Sequence, residues 1–258
     1  MRPDYSQIFQ DTRAVQKYEH VVYAPHSYSS IISMRQRKYL RRLVRTSFPD
    51  RRPVQHDFAC GTGRAVRLLH GMVREAHGYD TSAAMLDAAR SAGLRAHWHE
   101  IPADGPVPAP AHADGPAIVT MFRLLLNVPD GVRERAMAFA ARALPSHTSG
   151  LLIVENHGNA GSLRRLRRRR RSGDPWFAEL SHLQVAELLR RHGFSIVERR
   201  GFAIFPQGAY RLRPLRPLVR RVDSLLCRFD FLSRYAIDVL YVARRKPLTP
   251  RPHRPARG

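Results

Sequence analysis

The sequence is poor in cysteine and lacks long apolar runs, and each shortage excludes a class of protein. Its 258 residues include two cysteines, Cys60 and Cys227, too few for a disulfide framework, so a reducing cytoplasm is the expected location. The first ten residues have no apolar segment of the kind a signal peptide needs. No apolar stretch approaches the roughly 20 residues of a membrane-spanning helix. We therefore expect a globular cytoplasmic domain.

Acidic residues are also scarce, at 21 against 44 lysines and arginines, which leaves a net charge of +23. Only three of the basic residues are lysines: Lys17, Lys38 and Lys246. A surface of this charge attracts anions such as nucleic acid, anionic lipid or a phosphorylated substrate. A GC-rich coding sequence also produces an arginine-rich, lysine-poor chain, so the charge alone does not name a partner.

Residues 54–80 carry the pattern around which the rest of the chain is organised. A short apolar run ends at Cys60, the turn Gly61-Thr62-Gly63 follows, and a helical stretch leads to a second short run that ends at Asp80. Glycines let the backbone approach a ligand closely, and a carboxylate at the end of the second strand can accept hydrogen bonds from both ribose hydroxyls. Two glycines in a strand-to-helix turn are weak evidence alone, but with Asp80 they predict a site for an adenosine-bearing cofactor.

The third small residue of a dinucleotide-binding turn is missing, because Val66 stands at its position. The turn therefore favours a cofactor without phosphates over a nicotinamide dinucleotide, and an oxidoreductase becomes the weakest of the enzyme hypotheses.

The remaining elements alternate between strand and helix from residue 54 to residue 199, and this order predicts a mostly parallel sheet with helices on both faces. A helix capped by Ser29 or Ser30 is expected to end near residue 47, before Pro49. Further strands are expected at 94–98, 117–126, 150–156, 195–199, 202–205 and 236–245, and a loop at 101–116.

Three stretches carry a resemblance to a known family: Asp57-Phe-Ala-Cys-Gly-Thr-Gly-Arg64, Gly78-Tyr-Asp-Thr-Ser-Ala-Ala-Met-Leu-Asp-Ala-Ala-Arg90 and Leu125-Leu-Asn-Val-Pro-Asp130. Over roughly residues 50–200 the chain resembles the class I S-adenosylmethionine-dependent methyltransferases. The resemblance implies an α/β fold with a Rossmann-like sheet of seven strands, helices on both faces and an N-terminal helical lid. It also implies S-adenosyl-L-methionine as the cofactor.

The resemblance further implies a set of cofactor-binding residues. In the family the first stretch holds the methionine part, the acid at the position of Asp80 holds the ribose, and the third stretch lies beside the sulfonium. Ala59 stands where the family has its first glycine, and Glu100 is either an adenine contact or a surface acid. The cofactor-binding residues that we predict are Asp57, Ala59, Cys60, Gly61, Gly63, Asp80, Thr81, Glu100 and Phe122.

On this interpretation the chain has three parts. Residues 1–49 form the helical lid on the acceptor side, residues 50–246 form the methyltransferase domain, and residues 247–258 form a disordered tail. Segments 159–178 and 206–234 are insertions on the acceptor side, and the second contains an amphipathic helix that is a candidate for contact with substrate or membrane.

The acceptor is not identified by any motif. The Asn/Asp-Pro-Pro-Tyr/Phe motif of enzymes that methylate nucleic-acid bases is missing after the fourth strand, which makes nucleic acid less favoured. Glu155, Asn156 and His157, at the end of the fifth strand, are expected to point toward the acceptor. An oxygen acceptor would need a base, and His157 is the candidate, with a partly exposed loop histidine as the alternative. His97 and His99 share one face of a strand but lack a third ligand, so no metal is predicted.

We therefore expect methyl transfer to an oxygen of a small-molecule, sugar or lipid-linked acceptor. The alternative is an RNA-directed methyltransferase or an RNA-binding protein. The run Arg164–Arg171 could attract a phosphorylated or lipid-linked acceptor, hold the protein at an anionic membrane, or be a solvated loop. The sequence leaves these roles and the oligomeric state open.

Overall fold

The computed structural model describes residues 27–111, 114–168, 179–211, 214 and 216–247. The first part of the predicted lid (residues 1–26), the arginines at 169–171 and the predicted disordered tail from 248 onward lie outside these ranges. Seven strands are described: β1 Val54–Phe58, β2 Glu75–Asp80, β3 His97–Glu100, β4 Ala117–Met121, β5 Gly150–Asn156, β6 Phe194–Phe202 and β7 Asp238–Arg245.

These strands form one sheet in the order β3-β2-β1-β4-β5-β7-β6. Strands β1 to β5 are parallel, and β7 is antiparallel to both β5 and β6. Strands β1, β4 and β5 are buried along their whole length, as expected of parallel strands covered on both faces. The predicted Rossmann-like sheet of seven strands is thus confirmed.

The described helices are α1 Tyr28–Ser47, α2 Arg64–Leu69, α3 Ala83–Ser91, α4 Asp130–Ala143, α5 Leu163–Arg168, α6 His182–Arg191 and α7 Arg216–Leu226, with 3₁₀ turns at Gln207–Arg211 and Asp230–Tyr235. One core cluster joins the sheet to α4 and α6, and a second joins the opposite face to α1 and α2. Among the described residues, no helix combines the length and the apolar character that crossing a bilayer requires.

The structure corrects some predicted boundaries. Helix α1 is capped by Ser27, whose side chain accepts the N–H of Ser30, so the serines proposed as caps lie inside the helix. Strand β3 begins at His97 and not at residue 94. The two strands expected at 195–199 and 202–205 are one strand, β6, after which Ala203 takes a positive φ of 60°. Because β6 is an edge strand with mixed burial, its residues do not alternate clearly enough to show one continuous strand.

Candidate active site

The turn after β1 is built from residues with left-handed backbone. Ala59, Gly61 and Gly63 have φ values of 56°, 53° and 76°. The N–H of Cys60 donates to the Tyr79 carbonyl at 3.1 Å, which ties the turn to the end of β2. Only glycine adopts such angles without cost, and the positive φ at Ala59 costs of the order of 1 kcal/mol. The turn therefore holds a strained backbone at the carboxyl end of β1, where an α/β sheet binds its ligands.

Asp80 ends the neighbouring strand, so its carboxylate lies against this turn. Its Oδ2 accepts the N–H of Gly61 at 2.7 Å, and its Oδ1 accepts the N–H of Ser82 at 3.0 Å. Burial raises the pKa of Asp80, while these backbone N–H groups act to lower it. The backbone N–H of Thr81 also bonds to this carboxylate, so about one of its four acceptor positions stays open. A hydroxyl of a ribose would fill it.

Asp57 lies beneath the turn in β1 and is fully buried. Thr120 donates its hydroxyl to Asp57 Oδ1 at 2.6 Å. Within the described ranges, the other oxygen of Asp57, Oδ2, has no hydrogen-bond partner. Burial raises the pKa of Asp57 to about 7. A buried carboxylate oxygen without a donor fits a ligand that brings one, such as the ammonium group of a bound amino acid.

The other residues predicted to bind the cofactor differ in how deeply they are buried. Glu100 is opposite Asp80 in register at the end of β3 but is exposed. Phe122 is buried after β4, with the guanidinium of Arg64 at 5.4 Å from its ring centre. Cys60 is buried and free, and burial raises the pKa of its thiol, so it packs inside the turn in the protonated form. Thr81 directly follows Asp80. The turn residues and Asp80 are thus brought together, and Glu100 is not enclosed with them.

No sequence motif indicated the role of Trp98, whose ring packs against Gly63 of the turn and against Gly78. A Cβ added to Gly63 would lie 2.7 Å from the Trp98 ring, and one added to Gly78 would lie 2.5 Å from it. Gly78 is paired with Trp98 between β2 and β3. Both glycines are therefore needed for close packing, Gly63 in addition for its positive φ, and only the strand register reveals the packing.

A cavity of about 350 Å³ lies beside the start of α2, next to the turn. The segments that surround it are the start of α1, the ends of β4 and β5, and the start of β7. Its lining includes Tyr28, Arg64, Arg123, Glu155, His157, Arg164, Gln207 and Asp238. Two of the three residues expected to point toward an acceptor, Glu155 and His157, line it. The third, Asn156, is not in this lining, since it lies on the other face of β5 and donates to the Leu180 carbonyl at 2.9 Å.

Glu155 is the centre of a buried network in the cavity wall. Its Oε2 accepts from Arg64 at 2.8 Å, its Oε1 accepts from Gln36 at 2.6 Å, and Arg64 also donates to Gln36. Burial acts to raise the pKa of Glu155, but Arg64, Arg123 and Gln36 outweigh it and hold the pKa well below its usual range. The ionised carboxylate therefore joins α1, α2 and β5 at the edge of the cavity.

Two further titratable groups face this space. Burial, Arg123 and Arg64 lower the pKa of His157 to about 3, so its imidazole is neutral at pH 7. Its Nδ1 is buried and has no hydrogen-bond partner in the described part of the chain. The second group is Asp238, which no sequence motif indicated; burial and Glu155 raise its pKa. An acid at the start of an apolar strand was the only sequence feature that could have indicated it.

The start of α1 closes the cavity and is held by a second buried network. Asp223 accepts the Tyr210 hydroxyl at 2.6 Å and the N–H groups of Ile204 and Phe205 at 2.8 and 2.9 Å, and it pairs with Arg35 of α1. The ring of Tyr210 packs edge-on against Tyr28, with the centroids 5.2 Å apart. This network joins α1 to the segment 206–234, and Gln207 of that segment lines the cavity.

The histidines at 97 and 99 belong to a stack on the α4 face of the sheet. His77 stacks with His97 and His99 at centroid distances of 4.9 and 5.4 Å, and with the buried His56 at 5.4 Å. Its Nδ1 lies 3.1 Å from Nε2 of His99. No group of three or more suitable ligands for a metal ion is found in the part of the chain that the structure describes.

Comparison with known proteins points to one family. Residues 56–147 match the family described as Methyltransferase domain. No curated protein matches the sequence. The fold is similar to a methyltransferase solved with the Trm112 activator of Haloferax volcanii, at 15% identity over 96% of this chain and 100% of that one, with a TM-score of 0.57. It is also similar to an S-adenosylmethionine-dependent methyltransferase of Thermotoga maritima, a possible histamine N-methyltransferase, at 19% identity over 93% and 99%, with a TM-score of 0.56.

The [4+2]-cyclase SpnF shares the fold as well, at 21% identity over 82% of each chain and a TM-score of 0.51. Structures at these identities show the fold, and the family match supplies the activity. The sheet order with its antiparallel seventh strand, together with the glycine turn beside Asp80, defines the Rossmann-like methyltransferase class. The methyltransferase-domain match over residues 56–147, together with the fold, supports an S-adenosylmethionine-dependent methyltransferase with S-adenosylmethionine as its cofactor.

Proposed function

We propose that the enzyme transfers the methyl group to an oxygen of a small-molecule, sugar or lipid-linked acceptor bound in the cavity beside Arg64. The observation that carries this proposal is the position of the cavity, which adjoins the cofactor turn and is lined by two residues with buried polar atoms. These are Nδ1 of His157 and the hydroxyl of Tyr28, and neither has a hydrogen-bond partner among the described residues. A bound acceptor with hydroxyl groups would satisfy both.

The proposed cofactor contacts follow from the turn. Asp80 would accept a ribose hydroxyl at the acceptor position that the N–H groups of Gly61, Thr81 and Ser82 leave open. Asp57, Ala59, Cys60, Gly61 and Gly63 would surround the methionine part, and the unpartnered Oδ2 of Asp57 supports a donor there. Thr81, Glu100 and Phe122 complete the proposed set. The bound cofactor supplies an electrophilic methyl group on a positively charged sulfur.

Transfer to a hydroxyl requires the acceptor to lose its proton as the new carbon–oxygen bond forms, and most of the rate can come from alignment alone. We propose that His157 is the base that accepts this proton from the acceptor hydroxyl. Its lone pair is available because the imidazole is neutral, but burial and the neighbouring guanidinium groups make it a weak base. An anionic group on the acceptor would offset Arg123 and Arg64 and so raise the basicity of His157. Asp238, in the same cavity, is the other candidate base.

The test uses S-adenosylmethionine labelled in its methyl group with aqueous, organic and RNA fractions of a cell extract. Label in a small-molecule or organic fraction supports the proposal; base lability of the product would indicate a methyl ester, whereas a methyl ether would be stable to base. His157→Ala should slow transfer at least about 100-fold if the histidine is the base. The control is His147→Ala, which changes an exposed loop histidine and should leave the rate unchanged.

The RNA-directed alternative predicts label in the RNA fraction alone. The described part of the Arg164–Arg171 run argues against a freely available basic patch at its start, because Arg165 pairs with Glu179 at 2.9 Å and Arg164 lies 3.9 Å from the same carboxylate. The side chains from 166 onward in this run lie outside the described residues. Absence of S-adenosylhomocysteine binding by calorimetry at millimolar concentration would contradict both hypotheses.

A further inference from the structure

Helix α7 exposes apolar side chains in a continuous stripe. Leu218, Val222 and Leu225 are 60%, 37% and 53% exposed, at spacings of four and three residues. At 3.6 residues per turn these positions fall within about 60° of arc on the helix surface. A helix on the surface of a globular protein ordinarily turns such a stripe toward the core.

On the opposite side of α7, a buried carboxylate fixes the helix to the rest of the protein. Asp223 is the buried residue of this helix, at 0% exposure, and it is the acceptor at the centre of the network with Arg35, Tyr210 and the backbone of 204–205. Turning the apolar stripe inward would bring this carboxylate out of its network and leave Arg35 without its buried partner. Breaking a buried ion pair is strongly destabilising. The network therefore fixes the rotation of the helix with its apolar side outward.

The stripe continues beyond the end of the helix. Phe229 and Phe231 are 48% and 64% exposed, and their ring centroids lie 5.9 Å apart. Five of the eight large apolar side chains that are exposed in the described part of the chain lie between 218 and 231. Scattered apolar residues on a surface need no explanation, but a contiguous group of this kind marks an interaction site.

The charges around the stripe are positive. Arg221 and Arg228 are exposed and border one side of it. Of the two acids in the segment 216–231, Asp223 is buried and Asp230 is paired with Arg199 at 3.1 Å. The chain as a whole carries a net charge of +23. An apolar stripe bordered by arginines on a cationic protein is complementary to an anionic lipid surface, where the apolar side chains enter the acyl region and the guanidinium groups meet the headgroups.

We propose that α7 and the following Phe229–Phe231 segment, together the docking helix, bind the surface of an anionic membrane. The docking helix is linked to the acceptor cavity through Tyr210, which donates to Asp223 of α7 and packs on Tyr28 in the cavity lining. Docking would therefore hold the acceptor side of the enzyme at the membrane, where a lipid-linked acceptor is available. The docking itself does not depend on the proposed function, whereas this use of it does.

The experiment is co-sedimentation of the full chain with phosphatidylcholine vesicles, with and without phosphatidylglycerol. Binding is expected only when the anionic lipid is present. The double change Leu218→Ser and Leu225→Ser should lower the partition coefficient at least about tenfold, since each leucine loses its burial in the bilayer. The double change Arg221→Ser and Arg228→Ser should lower it severalfold. Leu183→Ser is the matched control, because this leucine is 82% exposed on α6, away from the stripe, and its loss should change nothing.

Calorimetry with S-adenosylhomocysteine on each variant separates docking from folding and from the proposed function. The leucine variant should keep wild-type cofactor affinity while losing vesicle binding. Equal vesicle binding by the leucine variant and the wild type would overturn the proposal, as would wild-type protein that binds no vesicles because another part of the chain covers the stripe. Concentration-dependent dimerisation removed by the same leucine changes, with no vesicle binding, would show that the occupant is a second copy and would also overturn it.

Discussion

Replacing Asp80 by asparagine should weaken binding of S-adenosylhomocysteine by about 100-fold. The carboxylate already accepts the backbone N–H groups of Gly61, Thr81 and Ser82, which leaves about one of its four acceptor positions open. In the proposed complex this position takes a ribose hydroxyl. A hydrogen bond to a charged group contributes about 1.5–3 kcal/mol, and its loss at the upper end corresponds to roughly two decades in Kd.

Asparagine keeps the shape of the side chain but turns one oxygen into a donor. That amide group would face either the N–H of Gly61 or that of Ser82, so the turn also loses one of its supports. Titration calorimetry measures Kd, and a thermal melt of the free protein measures the effect on the turn. Asp87→Asn is the control, because Asp87 lies on α3 with a side chain that is 70% exposed and paired with Arg90. A Kd for the Asp80 variant within threefold of wild type would refute the ribose assignment.

Three further changes test other parts of the molecule. Gly78→Ala should lower stability by about 1–3 kcal/mol in urea unfolding, because its Cβ would lie 2.5 Å from Trp98. The control Gly131→Ala adds its Cβ to open space on α4 and should be neutral or slightly stabilising. Equal effects of the two changes would contradict the packing argument. Glu155→Gln should cost about 3–5 kcal/mol by the same measurement, since a buried guanidinium loses its charged partner, and a loss below about 1 kcal/mol would contradict this. Burial, His77 and His99 lower the pKa of His56 to about 4. The unfolded chain binds this proton near pH 6.5, so the contribution to stability should be full above that pH and fall by up to about 3 kcal/mol as pH drops toward 4. His56→Gln should therefore reduce the change of the unfolding free energy with pH between pH 7.5 and 5. An unchanged slope would contradict this prediction.

The prediction of the fold from sequence succeeded where the relevant interactions are local or repeat along the chain. Alternating strands and helices predict a parallel sheet with helices on both faces, because a parallel connection needs a crossover helix. The boundaries of β6 could not be predicted in the same way. Its burial is set by a single antiparallel neighbour, β7, and no local pattern encodes that pairing.

The turn and Asp80, the main parts of the proposed cofactor site, were open to prediction because they lie within residues 54–80. The glycines at 61 and 63 and the carboxylate at 80 are separated by one helix, and adjacent parallel strands bring their carboxyl ends together. Trp98 escaped notice because its contact with the turn depends on the register of β3 on β2. A register of this kind is decided by packing on the two sides of the sheet and not by any single residue type.

The sequence by itself thus determined the class of fold and the excess of positive charge, and it is the source of the proposed donor site. Only the tertiary structure decided the acceptor side, because Tyr28, Arg64, Arg123, His157 and Asp238 come from five separate segments that meet at one end of the sheet. The tertiary structure also decided which side of α7 faces the solvent. The periodicity of residues 216–226 predicts an amphipathic helix and would ordinarily place its apolar side inward. The buried carboxylate in that helix, held by a guanidinium 188 residues earlier in the chain, turns that side outward.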